Sequence, residues 1–192
     1  MQIERVIKGV KTLGPGNRLV VWVNGCRRNC VGCVSKRLQK KAPQNERDIT
    51  RFFDQFEFDD VDGVTISGGE PFDQTEELNQ LVKYIVGKQM YDILIYTGYT
   101  LEELLAKKDE RIIYVLEHIS VLIDGPYIQE LNNNTGNLRG STNQRIIVLN
   151  PSYRHKYDEY DSIERTMQEF HFGNVVVAVG IPTQEYIKSF LE

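Results

Sequence analysis

Short β-branched runs alternate with stretches of helical periodicity along the chain, and this alternation narrows the fold more than any other feature. The runs fall at residues 19–23, 64–66, 93–96, 119–123, 145–149 and 175–179. Each has the length and composition of a buried strand. Helix-like stretches lie between them, at about 48–56, 74–88, 101–107 joined to 110–117, and 183–191. In the second of these, Thr75, Leu78, Leu81, Val82 and Ile85 form an apolar stripe with the 3.6-residue period. Strands that alternate with helices predict right-handed βαβ units and a parallel sheet. The expected fold class is therefore α/β, an open, partial β/α barrel of about six mostly parallel strands. No internal repeat, low-complexity tract or linker divides the chain, and 192 residues with 41% hydrophobic content suit one core. Residues 1–192 are expected to form a single domain, with 150–192 a C-terminal extension that completes the sheet.

In parallel α/β architectures ligands collect at the carboxyl ends of the strands. The loops after the first four runs are NGCRRNCVGC, SGGEP, TGY and DGP, all polar or glycine-rich, and they should converge on one rim. The net charge of −4 argues against a sequence-independent grip on nucleic acid. The N-terminus lacks a basic start and apolar core of a secretory signal, and no apolar run approaches the roughly 20 residues that span a bilayer. A cytoplasmic location with no membrane partner is expected.

The chain has three cysteines, Cys26, Cys30 and Cys33, an odd number that cannot close a disulfide framework. Their CxxxCxxC spacing lets one tight loop wrap three thiolates around a single centre, and thiolates select zinc, Cu(I) or iron-sulfur clusters. A closed ferredoxin-type cluster takes four cysteines, so a cluster here would leave one iron open to another ligand. An open position is what catalytic metal centres keep. The alternatives are a structural Cys3His zinc site and thiols that hold no metal. The histidines His118, His155 and His171 all lie far along the chain, without short ligand spacing.

CxxxCxxC after the first strand and GGEP after the second resemble the radical S-adenosylmethionine (SAM) superfamily. GPGNR at 14–18, the cysteine loop, SGGEPF, YTGYTLEEL, LIDGPYIQEL and RGSTNQRII are similar, in order, to the activating enzymes of anaerobic ribonucleotide reductase, over about 14–147. The resemblance implies a radical SAM-type barrel whose candidate catalytic residues and metal ligands are Cys26, Cys30 and Cys33 around a [4Fe-4S] cluster. It also implies SAM held at the open iron by its amino and carboxylate groups, and reductive cleavage to methionine and a 5′-deoxyadenosyl radical. The implied partners are a glycyl radical enzyme, on which a glycyl radical is installed, and a reductant such as flavodoxin or ferredoxin. Clusters with an exposed iron imply an anaerobic setting.

Further candidate cofactor-binding residues sit in the other rim loops. Gly68 and Gly69 let backbone approach a ligand closely, and Glu70 offers a carboxylate to the ammonium of SAM. A glycine pair after a strand also makes an ordinary tight turn. Thr97 can meet the ribose or carboxylate of SAM, or simply belong to a turn in which Gly98 supplies positive φ. Asp124 begins the DGP turn, which the resemblance places near the radical. Arg139, Ser141, Asn143 and Gln144 enter the fifth strand in a block like the family's RGSSNQ, for SAM binding or partner positioning against a loop-tethering role. The VVVAVG strand and the GIP turn at 180–182 either face adenine or form an edge strand.

The chain departs from the family at Gly32, where an aromatic residue is common before the third cysteine, and at Val34, where tyrosine is typical after it. It also continues about 40 residues past the last shared block, through the tyrosine-rich PSYRHKYDEYDSIE. These departures leave open a radical SAM enzyme that modifies a peptide or small metabolite directly. A non-catalytic iron-sulfur or zinc-binding module is the third reading.

Overall fold

The computed structural model describes residues 1–160 and 162–189. Among these described residues there are eight strands: β1 (Ile3–Val10), β2 (Arg18–Val23), β3 (Gly63–Gly68), β4 (Ile93–Tyr96), β5 (Val121–Asp124), β6 (Arg145–Val148), β7 (Met167–Phe172) and β8 (Val175–Gly180). The α-helices are α1 (Ile49–Phe53), α2 (Thr75–Gly87), α3 (Leu101–Ala106), α4 (Glu110–His118), α5 (Arg154–Tyr157) and α6 (Gln184–Ser189). Strands β1 to β6 form one sheet in sequential order. Within it β2, β3, β4 and β5 run parallel, flanked by antiparallel β1 and β6. The protein is thus mixed α/β with an open, mostly parallel six-stranded sheet.

Both faces of the central strands are apolar because both are covered. Leu19, Val21, Val64, Ile66, Ile93, Ile95 and Leu122 alternate onto one face and pack against α1, α2 and α4. The stripe Leu78, Leu81, Val82 and Ile85 of α2 is fully buried there. Val20, Leu94, Val121 and Ile123 point to the opposite, inner face, where the chain after residue 150 covers them with Tyr157, Val177 and Val179. Among the described residues no helix is long and apolar enough to cross a membrane.

The structure departs from or adds to the sequence reading at three places. Strand β1 is absent from the sequence reading because register shifts at both of its ends break the period-2 alternation. β6 is antiparallel because residues 125–144 return the chain without a helix crossing the sheet, and a parallel partner requires such a crossover. The run at 175–179 does not complete the sheet. It pairs with β7 in a separate two-stranded hairpin, joined by Gly173 and Asn174, so a neighbour two residues away outcompetes a distant sheet edge. The extension covers the inner face instead. The last helix is observed over Gln184–Ser189; the expected stretch to residue 191 runs into 190–192, outside the described residues.

Opposite the rim, Arg18 is fully buried and anchors the amino ends of the parallel strands. Its guanidinium donates to Thr65 Oγ1 (2.6 Å), Val64 O (2.8 Å) and Asp92 O (3.1 Å), and lies 3.4 Å from Asp92 Oδ1. Asp92 also accepts from the Tyr157 hydroxyl (2.7 Å) and pairs with Lys156 (3.2 Å), which ties α5 to the sheet.

Candidate functional site

The loop after β2 folds back on itself through Gly25 N–H to Leu38 O (2.8 Å) and Cys26 N–H to Gln39 O (2.9 Å). Cys26, Cys30 and Cys33 are half-buried, carry no disulfide, and line one cavity of about 170 Å³. The same cavity is walled by Ser67, Gly68, Gly69 and Glu70 after β3, Thr97 and Gly98 after β4, and Gly125 after β5. Four consecutive parallel strands therefore deliver their carboxyl-end loops to one place. Among the described residues no three His, Cys, Asp or Glu side chains converge closely enough to hold a single metal ion.

The two glycines of SGGE do their work against protein backbone. Gly68 has φ of 113°, and a Cβ there would sit 2.5 Å from Val23 N and O. At Gly69 a Cβ would clash with Gly25 O. The β3 loop thus packs directly on the start of the cysteine loop, and Glu70 N–H completes the join with Gly25 O (2.8 Å).

Glu70 is 1% exposed, and its carboxylate accepts from Thr97 Oγ1 (2.8 Å), Gly98 N–H (2.7 Å) and Phe72 N–H (3.0 Å). Burial nevertheless dominates and pushes its pKa up to about 7, against those three donors. A carboxylate has about four lone-pair sites, so these bonds leave room for a further donor from the cavity. Gly98 does not have positive φ; its N–H is what the site uses. Tyr99 donates to Asp73 (2.8 Å), whose other oxygen accepts from Arg27 N–H (2.9 Å). Arg28 lies 4.2 Å over the Tyr99 ring and pairs with Glu103. Together these contacts tie the cysteine loop to the loops after β3 and β4.

Three thiols that face one cavity, with no fourth cysteine in the chain, form a donor set suited to a thiolate-ligated cluster that keeps one iron open. Burial raises the pKa of the Cys26 and Cys33 thiols, so loading iron must displace their protons. The comparisons with known proteins agree. A sequence model of the 4Fe-4S single cluster domain matches residues 12–147. The anaerobic ribonucleoside-triphosphate reductase-activating protein of Escherichia coli is 32% identical over 149 residues, 69% of this chain and 89% of that protein. Proteins of the same name from Vibrio cholerae (33% over 144 residues; 69% and 88%) and Haemophilus influenzae (32% over 148 residues; 69% and 88%) are similar to it. The chain belongs to the radical SAM activating-enzyme family. The region matched by the 4Fe-4S family model contains all three cysteines and every rim loop, whereas β7, β8 and α6 lie beyond it.

Among the residues singled out from the sequence, Cys26, Cys30, Cys33, Gly68, Gly69, Glu70 and Thr97 meet at the cavity of this activating-enzyme fold. Asp124, Arg139, Ser141 and Asn143 are not on its wall. Asp124 is fully buried, accepting from Leu101 N–H (2.7 Å) and Arg145 Nε (2.9 Å), so it joins β5 to α3 and β6. Arg139 donates to Gln144 O (3.1 Å), Ser141 accepts from Ile128 N–H (3.2 Å), and Asn143 donates to Pro126 O (2.7 Å). These bonds brace the 125–144 loop, which does present Gly125, Tyr127, Asn132, Gly140 and Gln144 to the cavity. Of the C-terminal strand and turn, Ile181 and Pro182 reach it. Sequence reasoning passed over Arg28, Tyr96 and Tyr127. Tyr96 carried a signal, a polar-tipped residue at the carboxyl end of a strand; Arg28 carried none beyond its place between cysteines.

Proposed function

We propose that this protein installs a glycyl radical on an anaerobic ribonucleotide reductase, with Cys26, Cys30 and Cys33 holding a [4Fe-4S] cluster and the adjoining cavity holding SAM. A reduced cluster and SAM held by these residues would supply the one-electron cleavage to methionine and a 5′-deoxyadenosyl radical, the chemistry that converts a glycine Cα–H to a glycyl radical with release of 5′-deoxyadenosine. The chain supplies position and exclusion of water. Its cysteine loop is clamped from two sides, by backbone contact at Gly68–Gly69 and by Asp73, Tyr99 and Glu103 through Arg27 and Arg28. Glu70 keeps a free acceptor position for the amino group of SAM.

The single observation that carries this reading is the shared cavity: three thiols and the SGGE and TG loops line one space at the carboxyl rim of a parallel sheet. The test is anaerobic reconstitution with iron and sulfide, then dithionite and SAM, in wild type and Cys30→Ala. Wild type is expected to release 5′-deoxyadenosine and, with the reductase present, to produce a glycyl radical signal by electron paramagnetic resonance; the variant should do neither. A four-iron cluster that forms without cleaving SAM would reject the proposal. SAM cleavage that never transfers a radical to the reductase would favour direct modification of another substrate.

A further inference from the structure

A second cavity, of about 370 Å³, lies between the β1–β2 face and the β7–β8 hairpin. It shares Val34, Ser35 and Pro182 with the cysteine-lined cavity, so the two are neighbours. Leu13, Trp22, Val177 and Val179 give it an apolar side, and the Glu4–Arg37 ion pair (3.4 Å) lines it as well. Arg5 adds a charge whose Nε is buried without a hydrogen-bond partner among the described residues, its guanidinium 5.3 Å from the Phe172 ring centroid.

We propose that this cleft receives an extended peptide segment of the partner enzyme, next to the glycine that loses hydrogen; the inference rests on the function proposed above. Three observations select a peptide over a small metabolite. First, among the described residues β8 pairs with β7 alone, so its outer edge presents backbone donors and acceptors to an added strand. The Val179 carbonyl accepts from the Thr12 hydroxyl at 2.9 Å, which fastens the hairpin to the loop after β1. Second, Phe172, Val175 and Val176 are each about half exposed (46–53%), so apolar surface continues along the hairpin to its tip. A long chain uses that surface and a metabolite does not. Third, one end of the cleft opens beside Val34, directly after the third cysteine, which is where the segment would have to deliver its glycine. The hairpin also lies beyond the region matched by the 4Fe-4S family model.

The test uses full-length, cluster-reconstituted protein with purified anaerobic ribonucleoside-triphosphate reductase as the probe. Ala178→Arg on one wall and Arg5→Glu on the other should each raise the half-saturating reductase concentration for glycyl radical formation about tenfold or more. SAM cleavage without reductase should stay within about twofold of wild type. Benzoylphenylalanine placed at Ala178 should crosslink to the reductase within the segment that bears its radical glycine, and this readout survives even if a charged variant misfolds. Unchanged half-saturation in both variants, or crosslinks to any other part of the reductase, overturns the proposal. So does a parallel fall in reductase-free SAM cleavage, which would assign the cleft to SAM. Failure of wild type to cleave SAM defeats the proposed function, whereas crosslinking at position 178 reads the cleft independently.

Discussion

Glu70 shows how one side chain serves both fold and site at a cost. Its carboxylate is buried with three protein donors, yet burial still leaves the pKa at about 7. A folded-state pKa above the ordinary 4.5 means that the folded protein binds a proton more tightly than the unfolded chain between those values. The contribution is therefore fully present below about pH 4.5 and is lost as pH rises through about 7. At about 1.4 kcal/mol per pKa unit, the loss is on the order of 3 kcal/mol. Urea unfolding of the cluster-free protein should accordingly show stability falling between pH 5 and 7.5, and Glu70→Gln should flatten that slope whatever its effect on absolute stability. An undiminished slope in the variant would place the titrating group elsewhere. The acidic identity and rim position of Glu70 were legible in the GGE motif. Its burial was not, because the donors come from Thr97 and Gly98, about 27 residues away in sequence.

At the scale of elements, the strands and loops that bear the site were legible because local pattern decides them. Each parallel strand is a short apolar run, and each polar loop follows directly. What local pattern cannot decide is pairing. β1 hides its alternation behind bulges, and β8 finds a partner two residues away in place of the sheet. The polar block at 139–144 likewise reads as ligand-binding in isolation, and only the folded 125–144 loop reveals what its hydrogen bonds hold. That loop is pinned from the extension by Arg165, which donates to Gly136 O (3.2 Å), Thr135 O (3.2 Å), Arg139 O (2.7 Å), Gly140 O (3.2 Å), Pro182 O (3.0 Å) and Asn132 Oδ1 (2.9 Å). A lysine cannot reproduce this fan, since its ammonium is a single point with three donors. Arg165→Lys is expected to leave several carbonyls under-satisfied and to speed amide hydrogen exchange across residues 132–140 about tenfold, as followed by mass spectrometry. Exchange at the wild-type rate would show that the loop stands without the extension.

For the whole molecule the question is whether residues after 150 fold as one unit with the sheet or merely lie against it. The inner-face residues Val20, Leu94, Val121 and Ile123 are fully buried in clusters to which the extension contributes Tyr157, Val177 and Val179, which argues for one cooperative unit. The polar link points the same way. Asp92 accepts at once from Arg18, which starts β2, and from Tyr157 in α5, all three nearly inaccessible to solvent. Removing the carboxylate strands a buried guanidinium, so Asp92→Ala should cost about 3–5 kcal/mol. Tyr157→Phe deletes one hydrogen bond and should cost about 1 kcal/mol. Because both changes act on the same bond, the double variant should be more stable than the sum of the two costs allows. Urea denaturation of the four proteins measures this directly, with β6-side and hairpin-side fluorescence probes expected to share a single transition. Strict additivity, or two separated transitions, would mean that sheet and extension fold independently. The 150–189 segment would then be an appended module, and the cleft it walls would open and close without unfolding the rim.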